Sequence, residues 1–295
     1  MTKDIVNVIN NLLVKCWLKA VIGGIRMIEI KTMLSFGGGT NSTAMLIGLR
    51  NKKIVPDLIL FADPGGEMPK TYEHIEKMQI WLKNNNMPPI TIVKYYPRKK
   101  EGDSQTLEQE CLQAYKLPSI AYGGFKTCSQ KYKIYTQEKF VKEETSAKKI
   151  WAKGERIKRY IGYDYGEPDR RNNARKFDRV NNEYENLYPM VDDWEWDRKK
   201  CEEVILNEGL ELPGKSSCFF CPNMKKQEII DLKKYNKDLF DRAIKMEENA
   251  DLTTIKGLGR NWSWKDFIYN YENQINIFDL FDEDDDVCIP CGCYD

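Results

Sequence analysis

Apolar positions in the first two-thirds of the chain fall into short blocks separated by amphipathic stretches. Residues 27–36 (MIEIKTMLSF), 57–62 (DLILFA), 90–96 (ITIVKYY) and 158–163 (KRYIGY) are rich in β-branched and aromatic residues and predict strands. Residues 41–50, Lys70 to about Asn84, 105–115 and 130–144 predict the intervening helices. This alternation argues an α/β fold, a Rossmann-like parallel sheet with right-handed crossovers. After about residue 190 the pattern turns helical, over 195–208, 225–234, 236–250 and 263–273. An acidic run, Asp282 to Asp286, then precedes the tail CIPCGCYD, and residues 1–26 predict an amphipathic extension.

Composition narrows the chemistry. The 295 residues carry 46 basic and 45 acidic groups, a net charge of +1, so polyanion binding would need a local patch. No run reaches the ~18–20 apolar residues of a membrane helix. The single histidine, His74, argues against Ser-His-Asp and Cys-His nucleophiles and multi-histidine metal sites. Nine cysteines, an odd number in a chain with room for a substantial core, argue against a secreted disulfide framework. With no strong signal peptide at the start, the expected location is the reducing cytoplasm, without a membrane.

Two strand ends carry the candidate site. Ser35-Phe36-Gly37-Gly38-Gly39-Thr40-Asn41-Ser42-Thr43 leaves a strand and opens a helix. Glycines there admit an anion to the backbone, and the N–H groups and dipole of the helix start favour negative charge. The bland reading is a tight turn. The segment resembles the SGGxDS loop of PP-loop ATP pyrophosphatases, with Gly37 in place of the Ser and Asn41 in place of the Asp. At the next strand end, FADPGGEMPKTYEHI (61–75) resembles the FVDTGxxFPET segment of PAPS and APS reductases. Together the two segments are similar to the PAPS reductase-like branch, the adenine nucleotide α-hydrolase-like fold. The resemblance implies ATP and Mg²⁺ as cofactors, with Asn41, Ser42 and Asp63 as catalytic residues. It also implies nucleotide contacts from the 35–42 loop, Asp63, Gly65, Glu67, Gly162, Arg170 and Arg171.

The cysteines extend the resemblance. Cys218-Phe-Phe-Cys221 is a CxxC, and TCSQKYKI places Cys128 in the second-Cys position of the reductases' CCxxRK. Thr127 replaces the first cysteine, and Cys201 is the candidate fourth thiolate; a buried core thiol is its alternative. Four thiolates suit iron–sulfur or zinc equally by counting; the resemblance implies a [4Fe–4S] cluster. Cys288, Cys291 and Cys293 are candidates for a sulfur carrier or a second metal, sharing only a Cys-Gly pair with the reductases' terminal ECGLH. Basic residues crowd 148–179, where IGYDYGEPDRR can set Arg170 and Arg171 over a nucleotide or form a solvated face. Trp194, Trp196, Trp262, Trp264, Tyr184 and Tyr188 fit core anchors better than base stacking.

The expected organisation is an extension (1–26), a nucleotide-binding α/β domain (27–190), a helical metal-bearing region (191–280) and a cysteine-rich tail (281–295). The expected activity is ATP-dependent adenylylation followed by sulfur transfer to a nucleic acid or nucleotide, with a cysteine desulfurase as a candidate donor. PAPS/APS reductase is the runner-up, and a non-catalytic, metal-bound nucleotide-sensing module the third reading.

Overall fold

The computed structural model describes residues 29–97, 106–118, 128–178 and 181–278. The expected 1–26 helix, Thr127, the acidic run and Cys288, Cys291 and Cys293 lie outside them. Five strands, β1 (Thr32–Ser35), β2 (Leu58–Asp63), β3 (Ile90–Lys94), β4 (Ile157–Ile161) and β5 (Tyr184–Leu187), form one sheet in the order β3-β2-β1-β4-β5. β1 runs parallel to both neighbours, with Leu34 opposite Ile59 on one side and Tyr160 on the other. β4 and β5 are also parallel. Covered on both faces, such inner strands read as short apolar runs rather than alternating ones. The edge strand β5, YENL, buries only Tyr184 fully and carried no such signal.

Helices α1 (Thr40–Asn51), α2 (Pro69–Asn84) and α3 (Leu107–Gln113) come first. A π-helical turn, Ser129–Ile134, leads into α4 (Tyr135–Glu143), and α5 (Thr145–Ala152), α6 (Pro168–Asp178) and α7 (Pro189–Asp192) follow. The last four are α8 (Arg198–Asn207), α9 (Lys226–Tyr235), α10 (Lys237–Asn249) and α11 (Trp264–Phe278). α5, α6 and α7 were not anticipated. α6 in particular, PDRRNNARKFD, has no apolar stripe to announce it.

The chain divides into two compact units that each draw on several stretches, where the sequence suggested a cut near 190. Of the described residues, the first contains those up to Phe61 with those in Glu73–Val93 and Gln137–Pro213; the second contains those in Ala62–Tyr72, in Lys94–Thr136 and from Gly214 on. The core of the first unites Leu34, Phe36, the apolar residues of α1, Ile59, Phe61, Met78, Tyr160, Met190 and Cys201. α1 is buried from Ser42 to Leu49 because α8 packs against it. Helix 198–207, expected in a separate helical region, therefore belongs with the sheet. In the second unit Phe219, Phe220, Ile229, Phe240, Met246 and Trp264 form the core. There Glu247 accepts from the backbone amides of Leu258, Trp264 and Lys265 and from the Ser263 hydroxyl at 2.6–3.1 Å, tying the start of α11 to α10. Among the described residues no helix is long and apolar enough to cross a membrane.

Gly48 lies in mid-helix beneath the tilted Trp194–Trp196 pair, and a Cβ there would stand 2.5 Å from one ring and 2.8 Å from the other. Gly48→Ala raises intrinsic helix propensity by ~1 kcal/mol, yet overpacking should outweigh that gain and leave a net loss of about 1–2 kcal/mol. Urea denaturation checks the sign: a more stable variant would show that the rings yield.

Candidate functional site

The loop after β1 is built to keep a helix start open. The amide of Phe36 donates to the Leu60 carbonyl at 2.8 Å, holding the chain to the sheet as it leaves. Gly38 has φ of 75°, a left-handed conformation that glycine adopts without strain. A Cβ at Gly37 would meet only Ser42 Oγ, at 3.7 Å, so space alone does not require glycine there. Gly39 is the N-cap of α1, no side chain caps the helix, and its first turn holds no acidic residue. The Ser42 and Thr43 hydroxyls turn inward to the Gly39 carbonyl at 3.1 and 2.9 Å. Thr40 Oγ1 is buried without a partner. Such a helix start is suited to an anion. Ser35, at the strand end, donates its hydroxyl to Gln137 Oε1 at 2.7 Å.

The strand order places this loop at a topological switch point. Crossovers from β1 run outward through β2 to β3, whereas β4 and β5 lie on the other side of β1. Open α/β sheets bind ligands where the connections diverge in this way, beyond the carboxyl ends of the strands. The loop after β4 closes the crevice. A Cβ at Gly162 would lie 3.0 Å from Ser42 N and 3.2 Å from the Asn41 carbonyl carbon, so a bare backbone is what lets the two segments meet. Asn41 Nδ2 donates to Asp164 Oδ2 at 3.0 Å and to Glu167 Oε2 at 3.2 Å. Asp164 is buried and its Oδ1 accepts from Gly166 N at 2.9 Å. Burial, then the charge of Glu167, pushes the Asp164 carboxyl above its ordinary pKa. Arg170 pairs with Glu167 at 2.9 Å and lies 4.4 Å above the Tyr163 ring, which stacks on Tyr188. Arg171 pairs instead with Asp192, as does Arg175, and these bonds secure α6 to α7.

His74 is a residue the sequence reading used only to exclude chemistry. It lies on the core face of α2, one turn from buried Met78. Its Nε2 is 2.8 Å from Thr43 Oγ1, and its ring is roughly parallel to Phe36. Because the Thr43 hydroxyl donates to the Gly39 carbonyl, Nε2 carries the hydrogen and donates to Thr43. The neutral imidazole thus braces the first turn of α1. Burial, helped by Lys77, lowers its pKa to about 4.

In the second unit, Asp63 is fully engaged. Its Oδ1 accepts from Gly65 N at 2.7 Å and Tyr72 OH at 2.8 Å, and Oδ2 is 3.5 Å from Lys94 Nζ. Packing requires the neighbouring glycines: a Cβ at Gly65 would strike Thr106, and one at Gly66 the Phe220 ring. Glu67 bridges to Cys218 through the backbone; its Oε1 pairs with Lys133 at 2.8 Å, and Oε2 is buried and unpaired. Cys128, Cys218 and Cys221 belong to this unit and are partly buried. The Cys218 thiol is pushed well above its ordinary pKa by burial and Glu67, against the opposing charge of Lys133.

Cys201 takes the core reading instead of the ligand one. It lies in the first unit, on α8, with Sγ 3.7 Å from the Met190 sulfur. Burial, then Asp164, raises its thiol to about 12. Among the described residues no three His, Cys, Asp or Glu side chains converge on a position for a metal ion. The aromatic residues are packed: Trp264, Tyr184 and Tyr188 are buried, Trp194 and Trp196 cover the core of the first unit, and Trp262 meets Phe267 edge-on.

No family model matches the sequence, and no curated protein does. Among solved structures, the chain is similar to a phosphoadenylyl-sulfate (PAPS) reductase from Candida auris in its phosphate complex. The identity is 12% and the TM-score 0.38, over 74% of this chain and 96% of that one. It is also similar to the U34-tRNA thiolase NcsA from Methanococcus maripaludis with its [4Fe–4S] cluster. There the identity is 13% and the TM-score 0.39, over 88% of this chain and 76% of that one.

The His74 brace predicts a pH dependence. The unfolded chain takes up a proton as pH falls through about 6.5, whereas the folded one resists it until about 4. Stability should therefore fall across that window by on the order of 2–3 kcal/mol. His74→Gln should flatten this component, seen as the difference between pH-dependent melting curves; parallel curves would refute it. The thiols should also separate by rate. With pKa values of about 12, Cys111 and Cys201 should react with iodoacetamide at pH 8 about 10³-fold more slowly than an ordinary thiol. Peptide mapping by mass spectrometry reads this directly.

Proposed function

We propose that the protein is a PP-loop type ATP pyrophosphatase that adenylylates an oxygen of a nucleic acid or nucleotide and prepares it for replacement by sulfur. The observation that supports this most is the uncapped, glycine-led start of α1 at the switch point between β1 and β4. In this reading the pyrophosphate of ATP lies over the amides of the 37–42 segment, with the Thr40 hydroxyl available to it. An acceptor oxygen attacks the α-phosphorus and the bond to pyrophosphate breaks. Charge developing on the leaving oxygen meets fixed N–H groups that need no reorganisation. Sulfur then attacks the activated atom and AMP departs. Mg²⁺ would supply charge neutralisation on the phosphates.

The rest of the first unit supports this step. His74 and Thr43 fix the helix start from behind, and Gly162 lets the β4 loop reach it. Arg170 stands on the Tyr163 face, held by Glu167, where a released guanidinium can turn to a phosphate. The second unit contributes the cysteine chemistry as the expected source or relay of sulfur, from a desulfurase or another donor. A [4Fe–4S] cluster or zinc finds no three His, Cys, Asp or Glu side chains placed to hold it among the described residues.

ATP with Mg²⁺ and an RNA or nucleotide acceptor should yield AMP and pyrophosphate, and not ADP and phosphate. Gly38→Val forces a β-branched residue into a left-handed conformation at φ 75° beside the phosphates. It should reduce ATP affinity at least tenfold with the circular dichroism unchanged. Calorimetric titration giving wild-type affinity for the variant would remove the nucleotide assignment.

A further inference from the structure

We propose that the α9–α11 face of the second unit docks a single-stranded nucleic acid, with bases on Tyr235 and Tyr271 and phosphates on Lys226 and Lys234. The inference rests on the reading above and deepens it, making the acceptor a nucleic-acid strand and not a free nucleotide. A row of aromatic rings crosses the two helices. The Trp262 ring meets Phe267 at 5.4 Å and 69°, and Phe267 lies 6.3 Å from Tyr271, one turn further along α11. Lys234, near the end of α9, is 5.0 Å from the Tyr235 ring centre and within electrostatic reach of Tyr271.

The row changes character along its length. Trp262 and Phe267 are half-buried and pack on the core of the unit, which fixes the inner end. Tyr271 and Tyr235 are 40% and 69% exposed. Every residue over 269–273 is exposed, so this stretch of α11 covers no core. Packing accounts for the first two rings and not for the last two. An exposed tyrosine keeps a flat apolar face open and loses little conformational freedom when it is covered, which is what stacking on an unpaired base requires. A duplex presents no such base without the cost of unstacking it.

Charge selects the partner. The segment Lys225–Tyr235 has four lysines against two acids. Those acids are engaged: Glu228 pairs with Lys215 at 3.0 Å, and Asp231 accepts from Gln227 Nε2 at 3.0 Å. Glu272 of α11 is taken by Lys233, while Lys237 and Lys265 each hold an acid of their own. Among the described residues no carboxylate pairs with Lys226 or Lys234, which stand against Phe267 and Tyr235. Lys226 is in the first turn of α9, where the helix dipole favours anions, so helix stability does not call for it. Ring faces interleaved with uncommitted cations match a chain of alternating bases and phosphates.

The test is fluorescence anisotropy of the full-length protein, without ATP, with a labelled strand of about 16 nucleotides. The strand is offered as RNA, as DNA and as the matching duplex. The single strand should bind about tenfold tighter than the duplex, and the RNA and DNA arms identify the preferred sugar. Tyr235→Ala and Tyr271→Ala should each weaken binding about fivefold or more; Tyr235→Phe should keep wild-type affinity, and Tyr235→Leu should match the alanine variant. Lys234→Gln should make the slope of log affinity on log salt shallower by about 0.7. No strand binding, equal or tighter binding of the duplex, or unchanged affinity in both alanine variants overturns the inference. So does a wild-type dimer in analytical ultracentrifugation that the alanine variants convert to monomers, since the face would then join two copies of this chain. If Tyr271→Ala does not fold, Tyr235→Leu against Tyr235→Phe decides: weaker binding of the leucine variant supports stacking, and equal affinities overturn it. Release of AMP and pyrophosphate with a mononucleotide acceptor, but no strand binding, removes this inference alone. Strand binding without ATP cleavage removes the pyrophosphatase reading alone.

Discussion

Backbone meeting backbone, at Gly162 against the first turn of α1, is the constraint on which the site depends. Parallel pairing of β1 with β4 brings the two strand ends side by side, but any side chain at position 162 would force the loops apart by tenths of an ångström. That separation would act directly on the Asn41 bonds to Asp164 and Glu167, at 3.0 and 3.2 Å. Chemistry around the helix start therefore derives from a steric fact about one residue with no side chain.

The helix start is held from two sides by different means. Behind it, His74 and the Thr43 hydroxyl form a buried, neutral and directional contact whose donor is fixed by the Gly39 carbonyl. In front, charged and amide groups converge, and their arrangement leaves acceptors unpaired. A rigid back and an electrostatically unfinished front are the combination expected of a site whose ligand completes the hydrogen-bonding.

Legibility followed periodicity. The strands at 32–35, 58–63 and 157–161 were readable because an inner parallel strand is apolar on both faces, and the edge strand at 90–94 because of its β-branched residues. The tight turn at Gly38 was readable because glycine enters a left-handed conformation without strain. β5 and α6 were not: an edge strand and a surface helix rich in Arg and Asn carry neither period strongly. Cys201 shows a different limit, since spacing reveals how many thiols a chain has but not which face of a helix carries each. On α8 that face is the one packed on α1, and the thiol became core. Asp164 and Glu167 were visible as charges in a basic stretch. Their link to Asn41 needed the strand order, which places β4 beside β1 although α1, β2, α2, β3, α3, the π-helical turn, α4 and α5 lie between them along the chain.

The distance between β1 and its partner β4 also bears on how the chain is made. α1, buried on nearly every side in the finished protein, leaves the ribosome long before its cover, the strand at 157–161 and the helix at 198–207. At ~5–20 residues per second the interval is on the order of ten seconds. For that time an apolar helix and an unpaired strand edge are exposed together on a tethered chain. The loop that opens α1, though encoded early, is thus among the last features of the sheet to acquire its native surroundings.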